Sequence, residues 1–276
     1  MNVSVLILTL NEEINLQRCL ASLNWCDDVV VLDSGSMDGT MEIAGRMGAR
    51  VFRRAFDNYS NQRNYGLTEI SYKNPWLLMV DADEVIPPNL VDEIRKAISE
   101  DDADICLYRL RRKDHFLGGW IRRSSGYPTW FGRLMRIGRV RVEREINEEY
   151  VTDGRVALLK GHLLHYPFSK GIAAWIEKHN RYSTMEAELI STEGAAITTF
   201  SDLFTADPAL RRRAQKSLLY RMPGRPLLVF LLLYLARGGF RDGRAGLTFC
   251  LLRSYYEFMI DFKAREIRLR REKSPV

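Results

Sequence analysis

Three polar clusters in the first third of the chain carry residue types suited to a phosphorylated ligand and a divalent cation. Asp81-Ala82-Asp83 sets two carboxylates at i and i+2. Such hard oxygen ligands in an open position suit Mg²⁺ or Mn²⁺ held together with substrate phosphates. A cation there would neutralise charge on a departing diphosphate. Asp33-Ser34-Gly35-Ser36 offers a lone carboxylate, Asp33, able to accept a hydrogen bond from a base N–H or a ribose hydroxyl. Its other reading is a turn cap, although Asp38-Gly39-Thr40 is better placed for that task. Thr9-Leu10-Asn11-Glu12 is the third cluster. An EF-hand starting at Asp33 fails, because Gly35 and Met37 stand where acids or amides are needed. A nicotinamide-binding domain is disfavoured, because no Gly-x-Gly-x-x-Gly follows the first apolar run.

The elements around these clusters must bring them together. Val3 to Leu8, Val29 to Leu32, Arg50 to Phe52 and Trp76 to Val80 are short apolar runs typical of buried parallel strands. Between them, helices run through Leu16, Cys19, Leu20 and Leu23, through Ala44 and Met47, and from Ser60 to Glu69; another opens at Pro87-Pro88. This rhythm predicts an α/β fold, a mostly parallel sheet with helices on both faces. Each polar cluster ends a strand, and open parallel sheets bind ligands beyond the carboxyl ends of their strands. All three clusters should therefore converge on one sheet edge.

Beyond residue 104 the rhythm weakens. Ile105 to Leu110 and Val156 to His165 read as strands, and Ile172 to Glu193 as an amphipathic helix. Arg109 to Arg144 holds eleven Arg/Lys against two acids, Asp114 and Glu143, with Trp120, Tyr127, Trp130 and Phe131 among them. It reads either as a solvated basic loop and hairpin or as an acceptor-binding excursion that pairs phosphates and stacks on sugars. His162 and His165 stand three apart on a strand and so face opposite sides, which argues against a two-histidine metal site.

The 276 residues carry a net charge of +6, and that charge is lopsided. Residues 208–276 hold 16 Lys/Arg and 5 Asp/Glu, which leaves 25 against 30 before them. This predicts an acidic body, residues 1–207, and a basic amphipathic helical extension, residues 208–276. An anionic partner should meet the extension. Its apolar stretches, Leu227 to Ala236 and Ala245 to Phe262, are edged with arginine. The first has half of the ~20 residues needed to span a bilayer. Such helices suit an anionic membrane surface, and they can equally form a dimer interface. No nucleic-acid-binding motif is present. The four scattered cysteines predict reduced thiols in a cytosolic protein, and the amino-terminal residues predict no signal peptide.

Val5 to Glu13, Leu32 to Thr40, Gln62-Arg63-Asn64 and Val80 to Glu84, in this order and spacing, resemble family 2 glycosyltransferases of the GT-A fold. Lys178 to Thr184 and Gly239 to Gly246 are similar to segments of a narrower branch, the lipopolysaccharide core β-glucosyltransferases. The resemblance implies a GT-A domain in which Thr9, Leu10, Asn11, Glu12, Asp33, Ser34, Gly35, Arg63, Asp81 and Ala82 bind the nucleotide. Asp33 would contact a uracil base and Arg63 a phosphate. Asp81 and Asp83 would serve Mg²⁺ or Mn²⁺, with Asp83 the more direct ligand. A histidine, His162 or His165, would either complete that shell or be a buried imidazole bonded to backbone.

The resemblance also implies inversion, with one carboxylate taking the acceptor proton. Glu148, six residues before Gly154, matches that base, although Asn147 stands where the branch has histidine and Glu145 and Glu149 are close by. The expected activity is a metal-dependent transfer of hexose from a nucleotide sugar, UDP-linked, to a lipid-anchored saccharide such as lipopolysaccharide core. The site of action would be the cytoplasmic face of the inner membrane. A polyprenyl-phosphate or polyprenyl-diphosphate-saccharide acceptor is the close alternative. A nucleotidyltransferase needs a Gly-rich basic loop after the first strand, where this chain is acidic.

Overall fold

The computed structural model describes residues 1–100, 102–143, 149–193, 204, 222 and 224–272. In chain order the elements are β1 (Val3–Thr9), α1 (Glu13–Ala21), β2 (Val29–Asp33), α2 (Thr40–Arg46), β3 (Arg50–Arg53) and α3 (Tyr59–Thr68). Next come β4 (Trp76–Asp81), β5 (Glu84–Val85), α4 (Pro88–Ser99), β6 (Ile105–Phe116), β7 (Gly119–Trp120) and β8 (Trp130–Arg136). The remainder are β9 (Val140–Glu143), β10 (Glu149–Thr152), β11 (Arg155–His165), α5 (Gly171–Glu193), α6 (Arg225–Leu231) and α7 (Gly243–Arg271). Two compact units emerge. One comprises Met1–Gly118 and Tyr127–Ser169; the other comprises Gly119–Gly126 and Lys170–Val276.

The first unit is built on a sheet ordered β3-β2-β1-β4-β8-β6-β11-β5. β3, β2, β1 and β4 pair in parallel, and β6 and β11 do likewise. β8 runs antiparallel between β4 and β6. The expected α/β fold, a mostly parallel sheet covered by helices on both faces, is therefore present. Side chains alternate between the faces because a strand has period two. Val3, Val5 and Ile7 pack with Leu16 and Leu20 of α1 and Leu90 and Ile94 of α4. Leu6, Val30 and Leu32 pack with Leu67 of α3 on the other face. α3 lies close because residue 66 is glycine: a Cβ there would sit 2.4 Å from Leu6 Cδ2.

The register aligns the polar clusters. Thr9 pairs with Asp33, Asp33 with Arg53, and Leu8 with Asp81, all at carboxyl ends of strands. The basic stretch keeps the antiparallel pairing of a hairpin, β6 with β8, but is less solvated than the loop-and-hairpin expectation. β6 runs on to Phe116, and β8 enters the sheet beside β4 with Arg133 only 3% exposed. These charges can be buried because carboxylates at the end of β4 meet them.

In the second unit, α5 packs on α7, and α7 on α6. Lys263 on α7 donates to the Asn180 carbonyl oxygen and side chain at 2.7 Å, and to Ser183 and Thr184 at 2.8 Å. The Lys178–Thr184 segment thus serves helix packing. Asp242 accepts hydrogen bonds from the Arg123 N–H and from both the N–H and the hydroxyl of Ser124, at 2.7–2.8 Å. The expected apolar helix at Leu227 to Ala236 is α6 followed by a π-helical turn, Leu232–Ala236, and Gly238 closes it with φ +75°. Among the described residues, no helix is long and apolar enough to cross a membrane. Ala209 to Leu219, which read as arginine mixed with leucine, lies outside the described residues.

Candidate active site

At the first two strand ends, the loops are laced into one unit. Asn11 adopts φ 54°; its Oδ1 accepts from the Met37 N–H, and its own N–H donates to Ser36 Oγ, both at 2.8 Å. The Glu12 N–H donates to Thr40 Oγ1 at 2.7 Å, and Glu12 Oε2 accepts from Asn15 at 2.8 Å. Thr9 Oγ1 donates to Asp33 Oδ1 at 2.8 Å. Asp33 Oδ2 takes the N–H groups of Gly35 and Ser36 at 2.9 and 2.8 Å, and the Ser36 hydroxyl shares Oδ1. Four donors thus fill the lone pairs of a carboxylate that is 1% exposed. Asp33 therefore organises the loop, a task the sequence reading gave to Asp38. Gly35 holds φ +98°, a conformation L side chains rarely adopt. Asp38 also contributes, accepting from the Thr40 and Glu13 N–H groups. Ser34 Oγ accepts from Gln62 Nε2 at 3.0 Å, which ties α3 to this loop.

The end of β4 is a buried ionic cluster. Asp81 Oδ1 meets Arg63 Nη2 at 3.2 Å, and its Oδ2 meets Arg133 Nη2 at 2.5 Å. Arg133 also reaches Glu84 Oε1 at 2.7 Å, and Glu84 is fully buried. Burial raises the Asp81 carboxyl, but Arg133 and Arg63 outweigh it and hold the pKa well below the usual carboxylate range. Burial pushes Glu84 up, with Asp81 adding to the shift against the pull of Arg133. Arg63, expected near a phosphate, is engaged with Asp81.

Asp83 lies beyond this cluster, beside His165. The Tyr166 N–H donates to the Asp83 carbonyl at 3.0 Å, and β5 pairs with β11 so that His165 opposes Glu84. This backbone staple brings His165 Nε2 to 3.2 Å from Asp83 Oδ2. The other ring nitrogen, Nδ1, lies 2.6 Å from Asp114 Oδ1, which also accepts from Arg112 Nε at 2.9 Å. Burial and Arg112 lower the His165 pKa, but Asp83 and Asp114 outweigh them and it ends raised. Burial would raise the Asp114 carboxyl, but His165 and Arg112 hold it low. His162 faces the other side of the strand, as the spacing required, with Nε2 2.7 Å from the Tyr127 hydroxyl.

Among the described residues no group of three or more His, Cys, Asp or Glu is arranged to hold a metal ion alone, so a divalent cation here would take only part of its ligands from the chain and the rest from substrate phosphate and water. Four carboxylates (Asp81, Asp83, Glu84 and Asp114) stand among three arginines (Arg63, Arg112 and Arg133) and His165. Asp81 is satisfied by two arginines, which leaves Asp83 and His165 as an oxygen–nitrogen pair suited to Mn²⁺ or Mg²⁺.

Of the remaining candidates, Leu10 is exposed and Ala82 is buried in the hydrophobic core with Val80 and Leu16. Glu148, with Glu145, lies outside the described residues. Arg112, Asp114, Arg133 and Glu84 stood in segments the sequence marked, with no individual role expected of them. A signal for Arg133 existed: it is a lone charge in Phe131-Gly132-Arg133-Leu134-Met135, and a charge inside an apolar strand needs a buried partner.

The chain is similar to known proteins. The model of glycosyl transferase family 2 matches residues 4–158. A lipopolysaccharide core biosynthesis glycosyltransferase of Rhizobium meliloti, LpsC, is 27% identical over 266 residues, covering 93% of this chain and 89% of that protein. An uncharacterized glycosyltransferase of Rickettsia prowazekii is 26% identical over 210 residues, 72% of this chain and 71% of its own. A crystal structure of Mycobacterium tuberculosis glucosyl-3-phosphoglycerate synthase with Mg²⁺ and UDP shares 26% identity, covering 43% of this chain and 44% of that one, with a TM-score of 0.33. The strand-end clusters and the family match lead to one conclusion: this chain is a glycosyltransferase and belongs to family 2.

Proposed function

We propose that the chain transfers a hexose from a UDP-sugar to a lipid-anchored saccharide, with inversion and with the help of Mg²⁺ or Mn²⁺. The observation that carries this reading is the Asp83–His165 pair beside an arginine-clamped Asp81, all at the carboxyl edge of the sheet. A cation bound there would neutralise charge on the leaving diphosphate. The laced loops of Thr9, Leu10, Asn11, Glu12, Ser34 and Gly35, held by Asp33, would receive the nucleoside, and Ala82 would line its floor. Arg63 and Arg133 keep Asp81 ionised and fixed, so Asp81 supports the site from behind Asp83. Glu148 would take the proton of the acceptor hydroxyl as it attacks C1 opposite the nucleotide.

The acceptor class rests on similarity to the Rhizobium meliloti protein, whose name places it in lipopolysaccharide core biosynthesis. It also rests on a surface of residues 208–276, the region we assign to the membrane. Along α7, Leu247, Leu251, Tyr255, Phe258 and Phe262 form one stripe, 38–57% exposed, and Arg244 and Arg265 extend it at either end. An apolar stripe ended by arginine suits the headgroup layer of an anionic bilayer, here its cytoplasmic face.

The test is release of nucleotide from UDP-, GDP-, dTDP- and CMP-hexoses by the purified protein, with truncated lipopolysaccharide core as acceptor and with or without Mn²⁺. Acceptor-dependent turnover of the UDP-sugar that needs Mn²⁺ is expected. Glu148→Gln should abolish turnover and retain UDP-sugar binding. Full metal-independent turnover would overturn the reading. Loss of turnover in Glu145→Gln, with Glu148→Gln active, would move the base.

A further inference from the structure

We propose that Asp114 is a positioning residue that aims His165 at the cation shared with Asp83. This rests on the metal reading above. The residue stands in the basic stretch Arg111-Arg112-Lys113-Asp114, where a solvated charge would be the ordinary expectation. Instead it is largely buried, and its Oδ1 lies 2.6 Å from His165 Nδ1.

The contact has a direction. An ionised carboxylate only accepts hydrogen bonds, so Nδ1 carries the proton and donates. That places the proton on Nδ1 and turns the Nε2 edge of the ring toward Asp83 Oδ2, 3.2 Å away. Metal-bound histidines commonly have their second nitrogen held by a carboxylate in this way.

The arrangement is fixed on three sides. In the register between β6 and β11, His165 and Asp114 are direct partners, so the backbone sets their approach. Arg112 Nε holds the same Asp114 oxygen at 2.9 Å. The Tyr166 N–H fixes the Asp83 carbonyl next to His165. A free imidazole would rotate about its side-chain bonds; this one has a donor contact on one side and a carboxylate on the other.

The experiment is a Mn²⁺ titration of the full chain with saturating UDP, with free Mn²⁺ read by electron paramagnetic resonance and melting temperature measured in parallel. Asp114→Ala should weaken Mn²⁺ binding by about 10–100-fold, the usual cost of losing such a partner. His165→Ala should weaken it at least as much. The double variant Asp114→Ala/His165→Ala should bind no more weakly than His165→Ala alone, because Asp114 acts through His165. Asp114→Asn keeps an oxygen acceptor, is the variant to use if the alanine form does not fold, and should recover part of the affinity.

Wild-type affinity in folded Asp114→Ala or Asp114→Asn, with His165→Ala weakened, would overturn the role of Asp114 and leave the metal reading standing. Additive losses in the double variant would also overturn it. Absence of Mn²⁺ binding by the wild type, or wild-type binding by His165→Ala, would overturn the metal reading and this inference with it.

Discussion

Arg133 is the side chain on which the site depends most at the scale of single residues. It is 3% exposed and bridges Asp81 and Glu84, two carboxylates that burial would otherwise neutralise. Breaking a buried ion pair from one side costs about 3–5 kcal/mol, because the abandoned charges stay buried. Arg133→Met should therefore lower unfolding free energy by about that amount in a denaturant titration, while Arg133→Met/Glu84→Gln recovers part of it. Wild-type stability in Arg133→Met would mean the cluster contributes nothing to the fold. Asp81 and Asp83 were legible from their spacing at the end of a strand. The Arg133 partner of Asp81 was not, because it lies 52 positions away in a stretch whose composition resembles solvated surface. The role of Asp33 was half legible: the carboxylate stood out, but the four donors that fill it depend on a turn only the fold defines.

The scale of elements shows why the first half could be read and the second less so. β1 to β4 are continuous apolar runs bounded by polar turns, so period and punctuation agree. β6 hid its length because its outer half, Arg111 to His115, is charged; Arg112 and Asp114 pair with each other and reach Glu84 and His165. In the helical unit, Gly239 and Gly246 allow a close turn: a Cβ on Gly246 would sit 2.1 Å from the Gly239 carbonyl oxygen. Backbone cannot yield cheaply there, so Gly246→Ala should cost about 1–3 kcal/mol of stability, measured by denaturant unfolding.

α5 carries a pH-sensitive contact. His179 stacks on Trp175 at 3.6 Å, and burial lowers its pKa from 6.5 to about 4. A histidine lowered on folding contributes fully above its unfolded pKa and loses that contribution as pH falls toward the folded value. Melting temperature should therefore drop between about pH 6.5 and pH 4, and His179→Gln should flatten this slope. An unchanged slope in His179→Gln would place the titrating group elsewhere.

At the scale of the whole molecule, the +6 net charge is the sum of 25 Lys/Arg against 30 Asp/Glu in residues 1–207 and 16 against 5 in residues 208–276. The α7 stripe is the surface on which we expect the basic part to act. Replacing Leu251, Tyr255 and Phe258 by serine should release the full chain from anionic vesicles in a flotation assay. It should leave binding of UDP-sugar intact, because no residue of the strand-end site is touched. Retained flotation would place the contact on other residues; a monomer replacing a dimer would identify the stripe as a subunit interface instead.

We propose that Asp83, with His165, seats the cation through which a nucleotide sugar is held. Thermal unfolding with UDP-hexose, with and without Mn²⁺, tests it most directly, because a ligand bound only by the native state raises the melting temperature. For the wild-type chain, UDP-hexose and Mn²⁺ together should raise it more than the two separate shifts combined. In Asp83→Asn that Mn²⁺-dependent excess should vanish while the unliganded melting temperature stays near wild type. An undiminished excess in Asp83→Asn would mean that the cation is held elsewhere.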